Sequence, residues 1–304
     1  MKPLVILRWK GSKNKMRHNL LPILDSIDHD CYCEPFGGSA AILLNKKPAK
    51  LDVYNDTNGA LVALFRTLRD PAQTARLIDI LNKTPICRDE RDKLLALARQ
   101  YLRDKTVNQE LANRLNLGDL KPETLIAYAV YYAQALSFGG NILDSYMASS
   151  FSMTQRQYVY RNRIEGIPAV HARMRDVIVE NRDFSWIIGA YDNPATLFYC
   201  DPPYWLGHEA YNAGWNDDRE AQLIDIISAC AASVVLSCYD TPRYQEALTQ
   251  ERGWERRNFR NVIGICKNTD KRRETIETVY IKRSARAAGS KPTTAPSLLQ
   301  EATQ

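Results

Sequence analysis

Four consecutive residues combine an acid, two prolines and an aromatic ring, and they follow a run of apolar residues: Asp201, Pro202, Pro203 and Tyr204. Ligands of open α/β sheets bind at the carboxyl ends of strands, which is where these residues are expected to lie. The two prolines remove two backbone N–H donors, leaving carbonyl acceptors beside the Asp201 carboxylate. Two such acceptors can draw on the hydrogens of a nucleobase amino group and return electron density to its nitrogen, for attack on an activated methyl group. Tyr204 can stack on a base that has left its helix. A Pro-Pro turn with an Asp cap and a surface Tyr is the structural alternative.

A second candidate segment has two glycines between a predicted strand at 31–33 and a predicted helix through Leu44. Ser39 is the expected N-cap of that helix. Glycines at such a turn let a ligand approach the backbone near a helix N-terminus. The segment matches neither the phosphate-binding P-loop nor the dinucleotide fingerprint. An ordinary tight turn therefore remains an equal alternative.

Two acids follow further predicted strands. Asp56 comes after the strand at 50–54, where a carboxylate can accept from both hydroxyls of a ribose. Asp183 and Phe184 follow the strand at 177–179 and offer an edge and a face to an adenine ring. Each acid can instead cap the helix that comes next, and for Asp56 taken alone that alternative is favoured.

The elements that would position these residues alternate as strand and helix from residue 1 to about 69 and again from about 176. Residues 70–137 have helical apolar spacing, and residues 138–165 are polar with scattered arginines. Near the end, residues 261–266 and 276–281 are predicted to form a hairpin across a basic loop. Residues 287–304 are small and polar and are predicted to be disordered. The pattern predicts an open α/β sheet interrupted by a long helical insertion.

Composition indicates an ordinary globular protein: 304 residues, 45% of them hydrophobic and 25% charged. No run reaches the roughly 20 apolar residues of a membrane span, and the N-terminal apolar run is short for a signal peptide, so we expect a cytoplasmic protein without a membrane partner. Seven cysteines, several in strand-like runs, favour reduced thiols. With no Cys/His cluster, no metal site is predicted.

Charge is concentrated near the end of the chain. Residues 251–286 contain eleven Lys/Arg and five Asp/Glu, a surplus equal to the net charge of the whole chain, +6. Such a local surplus favours a polyanionic partner. A solvated basic surface is the alternative.

Taken in order, these segments resemble the Dam-type DNA adenine N6-methyltransferases of bacteria and phages. The family motifs are Trp-x-Gly-Gly-Lys, Pro-Phe-x-Gly-x-Gly, a ribose-binding acid and Asp-Pro-Pro-Tyr. They are matched here by Trp9, Gly11, Lys13, Pro35, Phe36, Gly38, Asp56 and residues 201–204. Ser12 and Ala40 stand where the family usually has glycine. The family's Phe-Asn-Gly-x-x-Arg loop is only echoed at 137–142, so its sequence preference does not transfer.

The resemblance implies a Rossmann-like, S-adenosylmethionine-dependent methyltransferase sheet with an inserted, mainly helical target-recognition domain. The expected divisions are a catalytic domain at 1–69 and 176–286, the insertion at 70–175, and the tail at 287–304. The expected activity is methylation of adenine N6 in double-stranded DNA. Methylation of cytosine N4 or of RNA adenine, or an inactive DNA-binding relative, are the alternatives. A cognate restriction endonuclease stays open as a partner.

The resemblance also assigns residues. The expected catalytic residues are Asp201, Pro202, Pro203 and Tyr204. The expected cofactor-binding residues are Trp9, Lys13, Phe36, Gly38, Asp56, Asp183, Phe184 and Asp201. We further expect basic side chains of the insertion and of the hairpin loop to hold the DNA backbone, unless they are simply solvated: Arg156, Arg161, Arg163, Lys271, Arg272 and Arg273.

Overall fold

The computed structural model describes residues 3–7, 11–106, 120–136, 150–203, 215–262 and 274–289, without the side chains of 150–157, 159, 261, 262, 274 and 275. Seven strands are present in these ranges: β1 Cys31–Glu34, β2 Leu51–Asn55, β3 Ile178–Glu180, β4 Thr196–Cys200, β5 Ser233–Cys238, β6 Trp254–Val262 and β7 Glu274–Lys282. The described α-helices are α1 Arg17–Asp25, α2 Gly59–Arg69, α3 Pro71–Lys83, α4 Arg88–Asp104, α5 Pro122–Leu136, α6 Ser150–Met174, α7 Phe184–Tyr191, α8 Asp217–Ala229, α9 Pro242–Ala247 and α10 Ala285–Gly289.

The strands form one sheet in the order β3-β2-β1-β4-β5-β7-β6. The first five strands in this order run parallel, while β7 is antiparallel to both β5 and β6. This is the doubly wound Rossmann order with one antiparallel strand added. The chain builds outward from β1 to β3 and then returns to place β4 beside β1. The topological switch point, where such sheets bind ligands, therefore lies between β1 and β4.

Alternation along the central strands supplies both faces of the sheet. In β1, Tyr32 faces one hydrophobic cluster while Cys33 faces the other. All five residues of β4 are buried, as expected for a central parallel strand that is covered by helices on both sides. The predicted α/β class with a Rossmann-like sheet is thus confirmed.

Between β2 and β3 the described chain is helical. Asp70 caps α3 by accepting from the backbone N–H of Gln73, and Pro71 occupies the first helical position, which needs no N–H donor. Every residue from Thr124 to Leu136 in α5 is buried, because this helix packs against α2 and α4. These helices share one hydrophobic cluster with residues of the sheet, including Tyr54 and Tyr199. The limits of an insertion domain at 70–175 remain a prediction.

Several local predictions were wrong. No regular helix follows the glycine turn, where residues 41–45 form successive turns after Ala40, which adopts φ +53°. Conversely, α1 was not anticipated, since Pro22 lies inside it. The hairpin starts at Trp254 instead of 261, because Arg256, Arg257 and Arg260 made β6 look like a polar segment, and residues 263–266 of the predicted strand lie outside the described part. The short α10 extends to 289, inside the predicted tail, and residues 290–304 lie outside the described part. No helix in the described ranges is long and apolar enough to cross a membrane.

Candidate active site

An ion pair lies at the carboxyl end of β4, beside the switch point. Lys13, in the turn before α1, places its Nζ 2.7 Å from Asp201 Oδ1. The same Nζ lies 3.0 Å from Oε1 of Glu277, which comes from β7. The Lys13 and Glu277 side chains are 5% and 7% exposed, and that of Asp201 is 21% exposed. Two residues predicted for the cofactor pocket, Lys13 and Asp201, are therefore in direct contact.

Burial and neighbouring charges shift the pKa of Lys13 in opposite directions. Burial alone would lower the pKa of the Lys13 ammonium, but the neighbouring carboxylates of Asp201 and Glu277 outweigh it and raise the pKa above its usual value. Lys13 is therefore a cation at neutral pH. An Asp201 carboxylate beside that cation can accept hydrogen bonds.

The glycine turn after β1 is fitted closely against β2. A Cβ atom on Gly37 would lie 2.2 Å from the ring of Tyr54, so only glycine leaves room for that ring. The Tyr54 hydroxyl donates to the carbonyl oxygen of Gly38 at 2.8 Å, and Gly38 adopts φ +50°. The backbone of this turn is thus held in a conformation that places Gly38 at the edge of the switch point.

Asp56 joins the turn to the end of β2. Its Oδ2 accepts from the backbone N–H of Gly38 at 2.8 Å, and its Oδ1 accepts from that of Asn58 at 2.7 Å. Burial raises the pKa of the Asp56 carboxyl above its usual value, although both N–H donors act to lower it. The helix cap considered as an alternative for Asp56 is made by Asn58, whose side chain accepts from the first residues of α2.

Asn55 was not predicted, and it connects the loops that follow three strands. Its Nδ2 donates to the carbonyl oxygens of Pro35 and Arg182, at 2.8 and 3.0 Å, and its Oδ1 accepts from the Arg182 N–H at 2.9 Å. The side chain is fully buried. Its position as a polar residue at the end of β2 was the only signal in the sequence.

Glu34, the last residue of β1, is buried and accepts from the Tyr32 hydroxyl at 2.8 Å. Burial raises the pKa of the Glu34 carboxyl to about 8, against the opposing effect of that hydrogen bond. Glu34 is therefore largely protonated at neutral pH. The acid next to the glycine turn adds little negative charge to the site.

Asp183 takes the capping role that the sequence left open. Its Oδ1 accepts from the N–H of Ser185 at 2.9 Å at the start of α7, and its Oδ2 pairs with Arg219 of α8. Burial alone would raise the pKa of the Asp183 carboxyl, but the bonds to Ser185 and Arg219 lower it overall. An adenine edge at Asp183 would share the carboxylate with these partners, so its predicted cofactor contact remains a prediction.

Three aromatic rings meet next to Asp183. The ring centroids of Phe36 and Phe184 are 5.2 Å apart, and Trp215 lies 5.5 Å from Phe36 and 5.7 Å from Phe184. Phe184 is buried, with the Arg219 guanidinium 4.4 Å above its ring, whereas Phe36 is partly exposed. Of the two predicted aromatic residues, Phe36 offers the accessible ring surface. The sequence did not single out Trp215 or Arg219.

The two positions that depart from the family glycines are accommodated differently. The Ser12 hydroxyl accepts from Ser39 Oγ at 3.0 Å and from Asn14 Nδ2 at 3.2 Å, so it connects the Lys13 segment to the turn after β1. Ala40 adopts φ +53°, a conformation that favours glycine. Ser12 gains contacts, whereas Ala40 holds an unfavourable backbone geometry.

Other predicted site residues are only partly placed. Pro202 is buried and Pro203 is partly buried beside Asp201. Arg161 is exposed on α6, while Arg163 is partly buried and donates to Gln134 Oε1 at 3.4 Å. Outside the described residues or side chains lie Trp9, Arg156, Tyr204, Lys271, Arg272 and Arg273. No group of three or more His, Cys, Asp or Glu able to hold a metal ion was found among the described residues.

Comparison with known proteins gives one extensive match. A family model described as D12 class N6 adenine-specific DNA methyltransferase matches residues 9–262, which is most of the chain. A search of curated proteins found no match. Among solved structures, the chain is similar to a protein from Pyrococcus horikoshii assigned as an RNA methyltransferase, with 9% identity, a TM-score of 0.36, and coverage of 91% of this chain and 86% of that chain. At that TM-score the likeness supports no argument.

Proposed function

Because the chain belongs to the D12 class N6 adenine-specific DNA methyltransferase family, we propose that it methylates the N6 amino group of a flipped-out adenine in double-stranded DNA, with S-adenosylmethionine as methyl donor. The observation that carries this proposal is Asp201 at the carboxyl end of β4, paired with buried Lys13 and followed by two prolines. That arrangement offers hydrogen-bond acceptors on a rigid turn at the switch point of the sheet.

The protein's part in the reaction is to bind and polarise the target amino group. In our proposal Asp201 and the Pro202 carbonyl accept the two amino hydrogens, so that the nitrogen lone pair is available for attack. The nitrogen then gains the methyl group and loses one proton to solvent after the transfer, which means that no histidine is needed as a base. Tyr204 would stack on the flipped base.

S-adenosylmethionine, when bound, supplies a methyl group on a positively charged sulfur. The residues around the switch point suit such a cation, since Asp201 and Asp56 are acids and the Gly37-Gly38 turn keeps side chains away from the backbone. In this proposal Asp56 accepts from the ribose hydroxyls and Phe36 packs on the adenine of the donor. Trp9, Lys13, Gly38, Asp183 and Phe184 are proposed to complete this pocket.

The helices between β2 and β3 are proposed as the part that reads DNA. On α6, exposed Tyr158 and Arg161 are three residues apart and therefore lie on one face of the helix. An aromatic ring and a guanidinium together can contact a base and a phosphate. Arg156, Arg163 and the loop residues Lys271, Arg272 and Arg273 are proposed to add phosphate contacts.

Incubation of the protein with S-adenosylmethionine labelled in its methyl group and with DNA or RNA, followed by nucleoside analysis, tests the proposal. We expect label in N6-methyladenine of DNA. Label in N4-methylcytosine alone, or in RNA alone, would replace the adenine assignment with one of the alternatives. An absence of transfer to any substrate, with DNA binding intact, would indicate an inactive relative.

The role of Asp201 is tested by Asp201→Asn. This change keeps the shape of the side chain but removes its charge, and we expect methyl transfer to slow by about a hundredfold or more. Asp176→Asn, which alters an exposed acid paired with Arg175, is the matched control and should leave the rate unchanged. Equal rates for Asp201→Asn and the control would contradict the mechanism.

A further inference from the structure

Glu277 is a buried acid at the proposed site for which the proposed mechanism has no role. Its Oε1 lies 3.0 Å from Lys13 Nζ, opposite Asp201 Oδ1 at 2.7 Å. Lys13 is thus shared between a carboxylate that follows β4 and one that comes from β7. A third contact, to the carbonyl oxygen of Gly11 at 3.4 Å, further fixes the ammonium group.

The position of Glu277 in β7 is costly for an acid. Val279 and Ile281 belong to the larger hydrophobic cluster, and alternation along the strand puts Glu277 on their face of the sheet. A carboxylate buried on such a face loses hydration worth several kcal/mol, a cost that attraction to a nearby cation offsets. Lys13 is a cation that Glu277 contacts, at the edge of the proposed site.

The charges of this cluster determine what it can do. Counting only the three groups described here, one ammonium and two carboxylates give a net charge of −1, whereas Lys13 and Asp201 by themselves would sum to zero. Methyl transfer as proposed moves positive charge from the sulfur of the donor onto the amino nitrogen held by Asp201. A cluster that stays negative favours that change more than the neutral pair of Lys13 and Asp201 would.

We propose that Glu277 is a positioning residue, which holds Lys13 and offsets its charge so that Asp201 can receive the target amino group. This role rests on the proposed methyltransferase function. Glu277 acts through Lys13 and is not proposed to touch the substrate. Its neighbours support the assignment, since β7 is bonded on one side to β5 and on the other to β6, so the carboxylate is carried by an inner strand.

The decisive variant is Glu277→Gln, which retains an oxygen that can accept from Lys13 while removing the negative charge. We expect kcat to fall roughly tenfold to a hundredfold, the range of one charge-assisted hydrogen bond. The KM for DNA should stay within about twofold, because DNA is held elsewhere in the proposal. Glu277→Asp keeps the charge and should recover part of the lost kcat.

The pH profile supplies a readout that a purely structural role would not change. Because Glu277 is one of the two carboxylates that raise the pKa of Lys13, the Lys13 ammonium should lose its proton at a lower alkaline pH in Glu277→Gln than in the wild type. A neutral Lys13 no longer holds Asp201 through an ion pair, so the alkaline decline of kcat should shift to lower pH in the variant. Burial raises the pKa values of nearby Tyr199 and Cys238, so these groups stay neutral in this range. Glu34 titrates in both proteins and does not affect the comparison.

Glu255→Gln is the matched control. Glu255 lies on β6 in the same hairpin, is partly exposed, and pairs with Arg257 and Arg283 away from Lys13. The control loses the same charge and should retain the kcat and pH profile of the wild type. If Glu277→Gln behaves like Glu255→Gln in an active protein, the positioning role is wrong while the proposed function stands.

A measurement independent of activity separates the two proposals. In urea unfolding, the loss of stability in the double variant Lys13→Met with Glu277→Gln should be smaller than the sum of the two single losses. Lys13→Met leaves the buried Glu277 carboxylate without this counter-charge, and Glu277→Gln leaves Lys13 with Asp201 as its remaining carboxylate in this cluster. Strict additivity would contradict the contact even if the protein methylated nothing. Non-additivity without any methyl transfer would keep the ion pair but overturn its role in catalysis.

Discussion

At the scale of single residues, Glu34 makes stability depend on pH. Its carboxyl has a pKa of about 8 in the folded protein because it is buried, against an ordinary value of 4.5. Between these values the unfolded chain releases a proton that the folded protein retains, so the free energy of unfolding falls as pH rises. One such group gives a slope of about 1.4 kcal/mol per pH unit.

Glu34→Gln removes this dependence and keeps an oxygen that accepts from the Tyr32 hydroxyl. We expect the variant to gain stability relative to the wild type as the pH rises from about 5 to about 8. Urea unfolding of both proteins at several pH values measures the difference. Glu165→Gln, at an exposed position of α6, should give a curve parallel to the wild type. If the difference in unfolding free energy between Glu34→Gln and the wild type does not change with pH in this range, Glu34 is ionised in the folded protein.

At the scale of elements, Asn55 holds the ends of three neighbouring strands in one arrangement. Asn55→Ala removes two donated hydrogen bonds and one accepted one, and it leaves the buried carbonyl of Pro35 and the backbone groups of Arg182 without this partner. We expect a loss of about 2–4 kcal/mol in unfolding free energy. Affinity for S-adenosylmethionine should also weaken, because these loops surround the proposed pocket.

Asn193→Ala is the comparison for Asn55. The Asn193 side chain accepts a hydrogen bond from the N–H of Ala195 in an exposed turn. Its loss should cost less than about 1 kcal/mol, since water can replace the partner. Urea unfolding and calorimetric titration with S-adenosylmethionine measure the two effects. If the two variants are equally stable, the loops do not depend on Asn55.

Elements also show what the sequence could predict. β4 matches the expected strand residue for residue, because five consecutive side chains that are mostly apolar, followed by Asp201, fit a strand covered on both faces. The segment after the glycine turn does not, because Ala40 at φ +53° interrupts the helix that its apolar spacing suggests. That conformation accompanies the packing of Tyr54 in β2 against Gly37 in the turn after β1, a contact between segments that are separate in the sequence. Local pattern carries no information about such a contact.

The candidate site, too, depends on contacts between distant segments that local sequence pattern does not reveal. Lys13 and Asp201 were predicted from motif order, and the structure brings them together. Glu277 was missed, because its signal is one acid in phase with the apolar Val279 and Ile281, which also occurs on solvated strands. Its partner lies near the other end of the chain. Glu277 and Lys13 come into contact only because the sheet order places β7 beside β5.

At the scale of the whole molecule, the net charge of +6 is the feature that relates the chain to DNA. If basic side chains release counterions from phosphates, the logarithm of the DNA binding constant must fall linearly with the logarithm of the salt concentration. Exposed Arg161 is expected to provide one such contact, so Arg161→Ala should weaken binding to all sequences and reduce the salt slope by about 1. Fluorescence anisotropy with one DNA duplex across a salt series measures both quantities.

Arg66 provides the contrast for Arg161, because its charge is already matched within the protein. Its Nη1 lies 3.2 Å from Glu123 Oε1, so the pair carries no net charge toward a polyanion. Arg66→Ala should therefore leave the salt slope unchanged, although both variants lower the formal charge of the chain equally. If the two variants reduce the slope alike, overall charge governs binding and α6 has no special role. If the wild type shows no salt dependence, phosphate contacts do not hold the DNA at all.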